Sequence, residues 1–170
     1  MPQLKTAAAS AVDDSTINSG RAYARSKPLT ETYGCTKLVD ATYEGSTVQF
    51  CDLAVGTGLE GESGGGVKVT TVARGIENER TYDSKKGYTY PIDSEDGDIN
   101  LRAAKGLDVA ILGCEGMPPM KEGGRRVVRV PAEVAHGGNG IACLLGRKEK
   151  CLVPPDSGIE VYVEMISVAY

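Results

Sequence analysis

Tryptophan is absent from this chain, and in 170 residues there is one phenylalanine and one histidine. With eight Tyr the only other aromatics, the core has to be assembled from Val, Ile, Leu and Ala. A single His, with no Cys-x-x-Cys spacing, leaves a structural zinc site without a ligand set, and no metal or other cofactor is implied. An excess of positive charge is also lacking. The net charge is −4, which argues against a nucleic-acid partner, because phosphate binding wants a basic face. No apolar run approaches the ~20 residues that a membrane-spanning helix needs. No charged start followed by an apolar stretch reads as a signal peptide, so a processed form, or one never exported, is expected. What is present is glycine and proline, 22 and eight of them, which favour many turns and short strands over long helices.

Five Cys is an odd number. Cys35 with Cys51 and Cys143 with Cys151 stand out as close pairs, and Cys114 is left over. If bridged, each pair closes a short loop worth about 3 kcal/mol. Five reduced, buried thiols in a reducing compartment is the other reading of the same residues.

Along the chain, residues 1–34 read as an arm: few large apolar side chains, no sustained period, and an Ala-rich stretch at Ala7–Ala9. The arm has too little apolar surface to fold on itself, so a partner protein is the expected holder. Residues 35–170 read as one domain. Strands are expected over 47–56 and 67–74, as two short pieces in RTYDS and YTYPI, over 125–131, and over 159–168. Asp98 is placed to cap a helix running to Gly113, with Ile99, Ala103, Leu107 and Ala110 or Ile111 on one face. The sum is an α+β domain with its helix across one face of an antiparallel sheet.

Several motifs are weighed and set aside. Gly56, Gly58 and Gly61 spell G-x-G-x-x-G, but GESGGG follows where a dinucleotide site needs a helix. Asp96, Asp98 and Asn100 match the first ligands of a calcium loop, yet Leu101 and Leu107 occupy its obligatory Gly and Glu positions. His136 has no nucleophile signature around it, with Cys114 the one nameable partner. Lys121, Arg125, Arg126 and Arg129, with Arg147, Lys148 and Lys150, read equally as a solvated strand and loop or as a contact face for an acidic partner.

In combination, several pieces carry a resemblance: FCDLAVGTG at 50–58, TYDS at 81–84, KGLDVAILGCEGMPPMKEGGRRVVRVPAEVAHG at 105–137, the flanking Cys143 and Cys151, and LVPPDSGIEVYVEMISV at 152–168. Residues 47–168 resemble the FKBP-type peptidyl-prolyl cis-trans isomerases, above all the form of the chloroplast thylakoid lumen. The resemblance implies a five-stranded antiparallel half-barrel wrapped on one short helix, disulfides Cys35–Cys51 and Cys143–Cys151, a thylakoid-lumen location, and Pro-containing protein clients. It also implies a pocket lined by Tyr82, Asp83, Tyr88, Ala103, Ala104, Leu107, His136, Leu152 and Val161.

That implied pocket departs from the family pattern. Tyr82 and Tyr88 stand where Phe is usual, Leu107 where a Trp forms the floor, Ala103 and Ala104 where Val-Ile stands, His136 where a Tyr points inward, and Val161 where Phe stands. Weak isomerase activity on a retained scaffold is therefore expected. The alternative is a non-catalytic subunit or assembly factor docked on a photosynthetic membrane complex, such as a photosystem, by residues 1–34 and the basic face.

Overall fold

The computed structural model describes residues 25–93, 104–140 and 151–169. In chain order these form α1 (Leu29–Tyr33), β1 (Val39–Tyr43), β2 (Ser46–Ala54), β3 (Gly66–Gly75), β4 (Thr81–Pro91), α2 (Ala104–Leu112), β5 (Arg125–Val130) and β6 (Ile159–Ala169). Among the described residues no helix is long and apolar enough to cross a membrane.

The six strands make one antiparallel sheet in the order β1-β2-β5-β6-β3-β4. Five strands were expected, and β1 is the addition. It pairs with β2 through a two-residue turn, Glu44-Gly45, in which both residues have positive φ (49° and 83°). That turn matches the twist of a tight hairpin. The stretch VDATY buries only Ala41, so its alternation is too shallow to announce a strand. RTYDS and YTYPI are one strand, β4, interrupted by irregularities in register. The helix expected from Asp98 is seen from Ala104, and the calcium-like Asp96, Asp98 and Asn100 lie outside the described residues.

On one face of the sheet, the inner face, Val48, Phe50, Val69, Val128, Val130, Val161 and Val163 meet Leu107, Ala110 and Ile111 of α2 in a single core. As composition requires, that core is mainly aliphatic, with Phe50, Tyr82 and Tyr90 its aromatic members. Gly106 is what lets the helix settle: a Cβ there would lie 3.2 Å from Val130, 3.4 Å from Ile159 and 3.7 Å from Val161.

The outer face is built differently. Cross-strand register places Asp40, Gln49, Arg129, Glu160, Arg74 and Thr81 in one row across all six strands. Beside that row lies an apolar stripe of Val127, Tyr162 and Val72, covered by Leu29 with Tyr33, Cys35 and Leu53 around it. Residues 25–35 thus form a strap on their own domain. Ser26 N–H donates to Glu79 O, the Leu29 N–H donates to Glu160 Oε1 at 2.8 Å, and Tyr33 stacks on Tyr162 with centroids 3.8 Å apart. Gly34, in the left-handed region at φ 79°, ends α1. The disulfide Cys35–Cys51 then ties the strap to β2, Cα to Cα 6.1 Å. A partner was expected to hold the whole arm, residues 1–34; residues 25–34 lie instead on their own sheet, and residues 1–24 lie outside the described residues.

Candidate functional site

The site is the corner of the inner face where β4, α2 and the segments after β5 and before β6 converge. Its floor is set by Leu107 and Val161, 1% and 0% exposed, brought together by the close approach at Gly106. Tyr82 reaches the same core by a local irregularity. Ala73 pairs with Asp83 and Arg74 with Thr81, so Tyr82 is an extra residue on β4, a bulge. Bulges re-aim side chains, and this one turns the Tyr82 ring, 1% exposed, toward the helix side.

Tyr82 Oη lies 3.4 Å from His136 Nε2, and the two rings meet edge to face with centroids 6.2 Å apart. His136 is half-buried between two 3-10 turns, Ala132–Val134 and Gly137–Asn139. Burial, with the Asp83 charge adding to it, holds the Tyr82 hydroxyl well above the ordinary phenol range, so it stays a neutral donor. Asp83 is itself buried. Tyr88, half-buried further along β4, shares a 2.8 Å hydrogen bond with Thr71 Oγ1 and carries Lys85 Nζ 4.7 Å above its ring. Leu152 and Ala135 pack against the core from the rim.

Tyr82, Leu107 and Val161 are thus in one cluster with Tyr88 and Leu152 packed on it, and His136 joins through Tyr82. Ala104 opens α2, while Ala103 lies outside the described residues. Cys35 and Cys51 are bridged, and Cys151 is also disulfide-bonded, Cys143 lying outside the described residues. Cys114 is free and half-buried, its thiol pushed up by burial.

Other polar groups were not singled out from the sequence. Tyr90 Oη donates to Asp108 Oδ1 at 2.7 Å, which also accepts the Asp93 N–H at 2.9 Å, holding the end of β4 and the turn after it to α2. Burial raises the Asp108 carboxyl above its ordinary value, against the lowering effect of these two hydrogen bonds. Isolated Tyr and Asp residues 18 apart give no sequence signal for such a pairing.

The basic run at β5 does not form a single face. Arg126 points to the inner side and is almost fully buried, forking onto Asp52 (2.6 and 3.2 Å) and donating to Ala110 O at 2.8 Å. Arg125 and Arg129 point outward, to Tyr162 and Glu160. Strand alternation separates neighbours in sequence onto opposite faces. The G-x-G-x-x-G stretch holds no phosphate cradle either. The Thr57 and Gly58 N–H groups donate to Glu122 O, and a side chain at Gly56 would collide with the backbone of residues 121–124.

No family model matches the chain. The crystal structure of AtFKBP13 superposes with a TM-score of 0.65 at 34% identity, covering 78% of this chain and 99% of that one. The chain belongs to the FKBP family. FKBP13 of Arabidopsis thaliana, a chloroplastic peptidyl-prolyl cis-trans isomerase, is 36% identical over 141 residues, 83% of this chain. The photosynthetic NDH subunit of lumenal location 4 from the same plant, also chloroplastic, is 30% identical over 131 residues, 77% of this chain. This FKBP chain spans 63% and 58% of the length of those two relatives.

Proposed function

We propose that this FKBP domain is a peptidyl-prolyl cis-trans isomerase of the thylakoid lumen whose reshaped chamber catalyses weakly. The lumenal location is the one its chloroplastic and lumenal relatives point to, and a lumen able to sustain disulfides suits the bridged Cys35, Cys51 and Cys151. The observation that carries the isomerase reading is the convergence of Tyr82, Leu107 and Val161 at one apolar corner of the FKBP scaffold.

Rotation about an X-Pro amide breaks no bond and moves no proton. Uncatalysed, it takes tens to hundreds of seconds over a barrier near ~20 kcal/mol. The twisted amide has lost resonance and charge separation, so a dry apolar chamber favours it over the planar ground state, and a single donor to the substrate carbonyl fixes its orientation. The pocket we assign comprises Tyr82, Asp83, Tyr88, Ala103, Ala104, Leu107, His136, Leu152 and Val161. The scaffold supplies the dryness. Leu107 and Val161 in place of aromatics supply less contact to the proline ring, and an aromatic floor fully removed is worth several kcal/mol, on the order of 3–5. Exchange NMR on a short peptide with one X-Pro bond tests this: cis-trans exchange accelerated by substoichiometric protein is expected, and no acceleration at any protein concentration refutes it.

A second reading is favoured by the lumenal NDH-subunit relative. In it, the domain is a non-catalytic subunit docked on a photosynthetic membrane complex through the part of its arm, residues 1–24, that lies outside the described residues. Co-migration with such a complex in native gels, lost on deletion of residues 1–24, is the outcome that reading requires.

A further inference from the structure

We propose that Tyr82 supplies the chamber's hydroxyl donor and that His136 decides whether this donor is available to a substrate. The inference rests on the isomerase reading and deepens it. Tyr82 is buried, so its O–H proton needs an acceptor, since a buried donor left unpaired is costly. The acceptor in reach is His136 Nε2, at 3.4 Å. The neutral imidazole offers a lone pair at Nε2 when its proton sits on Nδ1, and Tyr82 Oη–H donates to it. Protonation puts a hydrogen on Nε2. The direction of the bond then reverses: Nε2–H donates to Tyr82 Oη, and the phenolic proton must turn elsewhere. A substrate carbonyl entering the corner formed with Leu107 and Val161 is the acceptor that satisfies it.

Carboxylates stand on the elements around His136. Asp83 stands next to Tyr82 on β4, and the Asp156 backbone N–H donates to Gly137 O, with its carboxylate beside Gly138. Glu133 of the first 3-10 turn is drawn away to Ser46 Oγ at 3.0 Å. On α2, Asp108 is engaged by Tyr90. Imidazole is the side chain whose charge changes between about pH 5 and pH 8, so the donor is released where His136 is protonated and withheld where it is neutral.

The test is the affinity of a short single-proline peptide between pH 5 and pH 8, for the full chain and two variants. The wild type should bind about five-fold more tightly at the acid end, the worth of one neutral hydrogen bond. Tyr82→Phe should bind at the weak level throughout. His136→Phe, which removes the acceptor at every pH, should bind at the tight level throughout. Because His136 is the only histidine, its ring nitrogens can be followed by NMR without assignment ambiguity, which also checks that the variants are folded. An Nδ1–H tautomer is expected at pH 8, with a titration midpoint that rises in Tyr82→Phe, where the bond favouring the neutral ring is gone. A pH dependence that survives in Tyr82→Phe, or a His136 midpoint indifferent to that substitution, overturns the inference while leaving the isomerase reading intact. Absence of peptide binding at every pH overturns the isomerase reading and the inference with it.

Discussion

The two faces of the sheet solve the same burial problem by different means. The inner face is mainly apolar, with Arg126 buried on it against Asp52, and is closed by α2, whose Leu107, Ala110 and Ile111 lie on aliphatic strand residues. The outer face alternates a polar row with an apolar stripe and is closed by a strap of ten or so residues held by a disulfide. In the polar row, Arg74 and Glu160 are 3% and 1% exposed, and Glu160 lies 3.4 Å from Arg74 and 3.2 Å from Arg129. One face gains stability mainly from contact area, the other from buried ion pairs and hydrogen bonds centred on Glu160. The difference teaches where each is vulnerable: the inner face tolerates change in proportion to volume, whereas the outer face fails when one member of a set is removed.

Glu160→Leu should have the largest effect. It leaves Arg74 buried without its carboxylate and Leu29 N–H without its acceptor. A loss of about 3–5 kcal/mol in urea unfolding is expected, the usual result of orphaning a buried charge. A change below about 1 kcal/mol would show that the polar row is incidental. On the inner face, Leu107→Ala should cost about 3 kcal/mol by opening a cavity, scaled by how far α2 can collapse. Reduction of Cys35–Cys51, or its replacement by Ser, should cost up to about 3 kcal/mol for a loop of this length. Hydrogen exchange should then accelerate in residues 25–35 while α2 stays protected. Equal acceleration in α2 would mean that the two faces are not separable.

The smallest effect is a pH slope. Asp108 has a folded pKa raised above the ordinary 3.8 by burial. Its contribution to stability is therefore full below about that value and is lost as pH rises through the raised one. Asp108→Asn should flatten this part of the stability profile measured from pH 3 to pH 7. An unchanged slope would assign it to other carboxylates.

The inner face was legible because its signal is periodic. VVRVP and IEVYVEMISV alternate, α2 repeats Leu107 and Ala110–Ile111 at helical spacing, and the family motifs fall on just these segments. The outer face was not legible, for physical reasons. Arg74, Arg129 and Glu160 are charged residues at positions that the alternation marks as solvent-facing, and nothing local shows that residues 25–35 fold back over them. α1 is five residues long, too short to show a period. Within the site, Leu107, Val161 and Tyr82 are readable as positions, but the bulge that re-aims Tyr82 arises from pairing between β3 and β4, and no single strand encodes it. The pairing of Tyr82 with His136, 54 residues apart, is likewise a product of tertiary structure.

On an intact scaffold, the changed floor is what we propose weakens the chamber. The most direct measurement is kcat/KM for X-Pro isomerisation of one peptide, compared side by side for this chain, Arabidopsis FKBP13 and the Leu107→Trp variant. A value at least about ten-fold below FKBP13, the equivalent of about 1.4 kcal/mol in barrier, with part of the gap recovered in Leu107→Trp, is expected. Wild-type activity equal to that of FKBP13 would contradict the account.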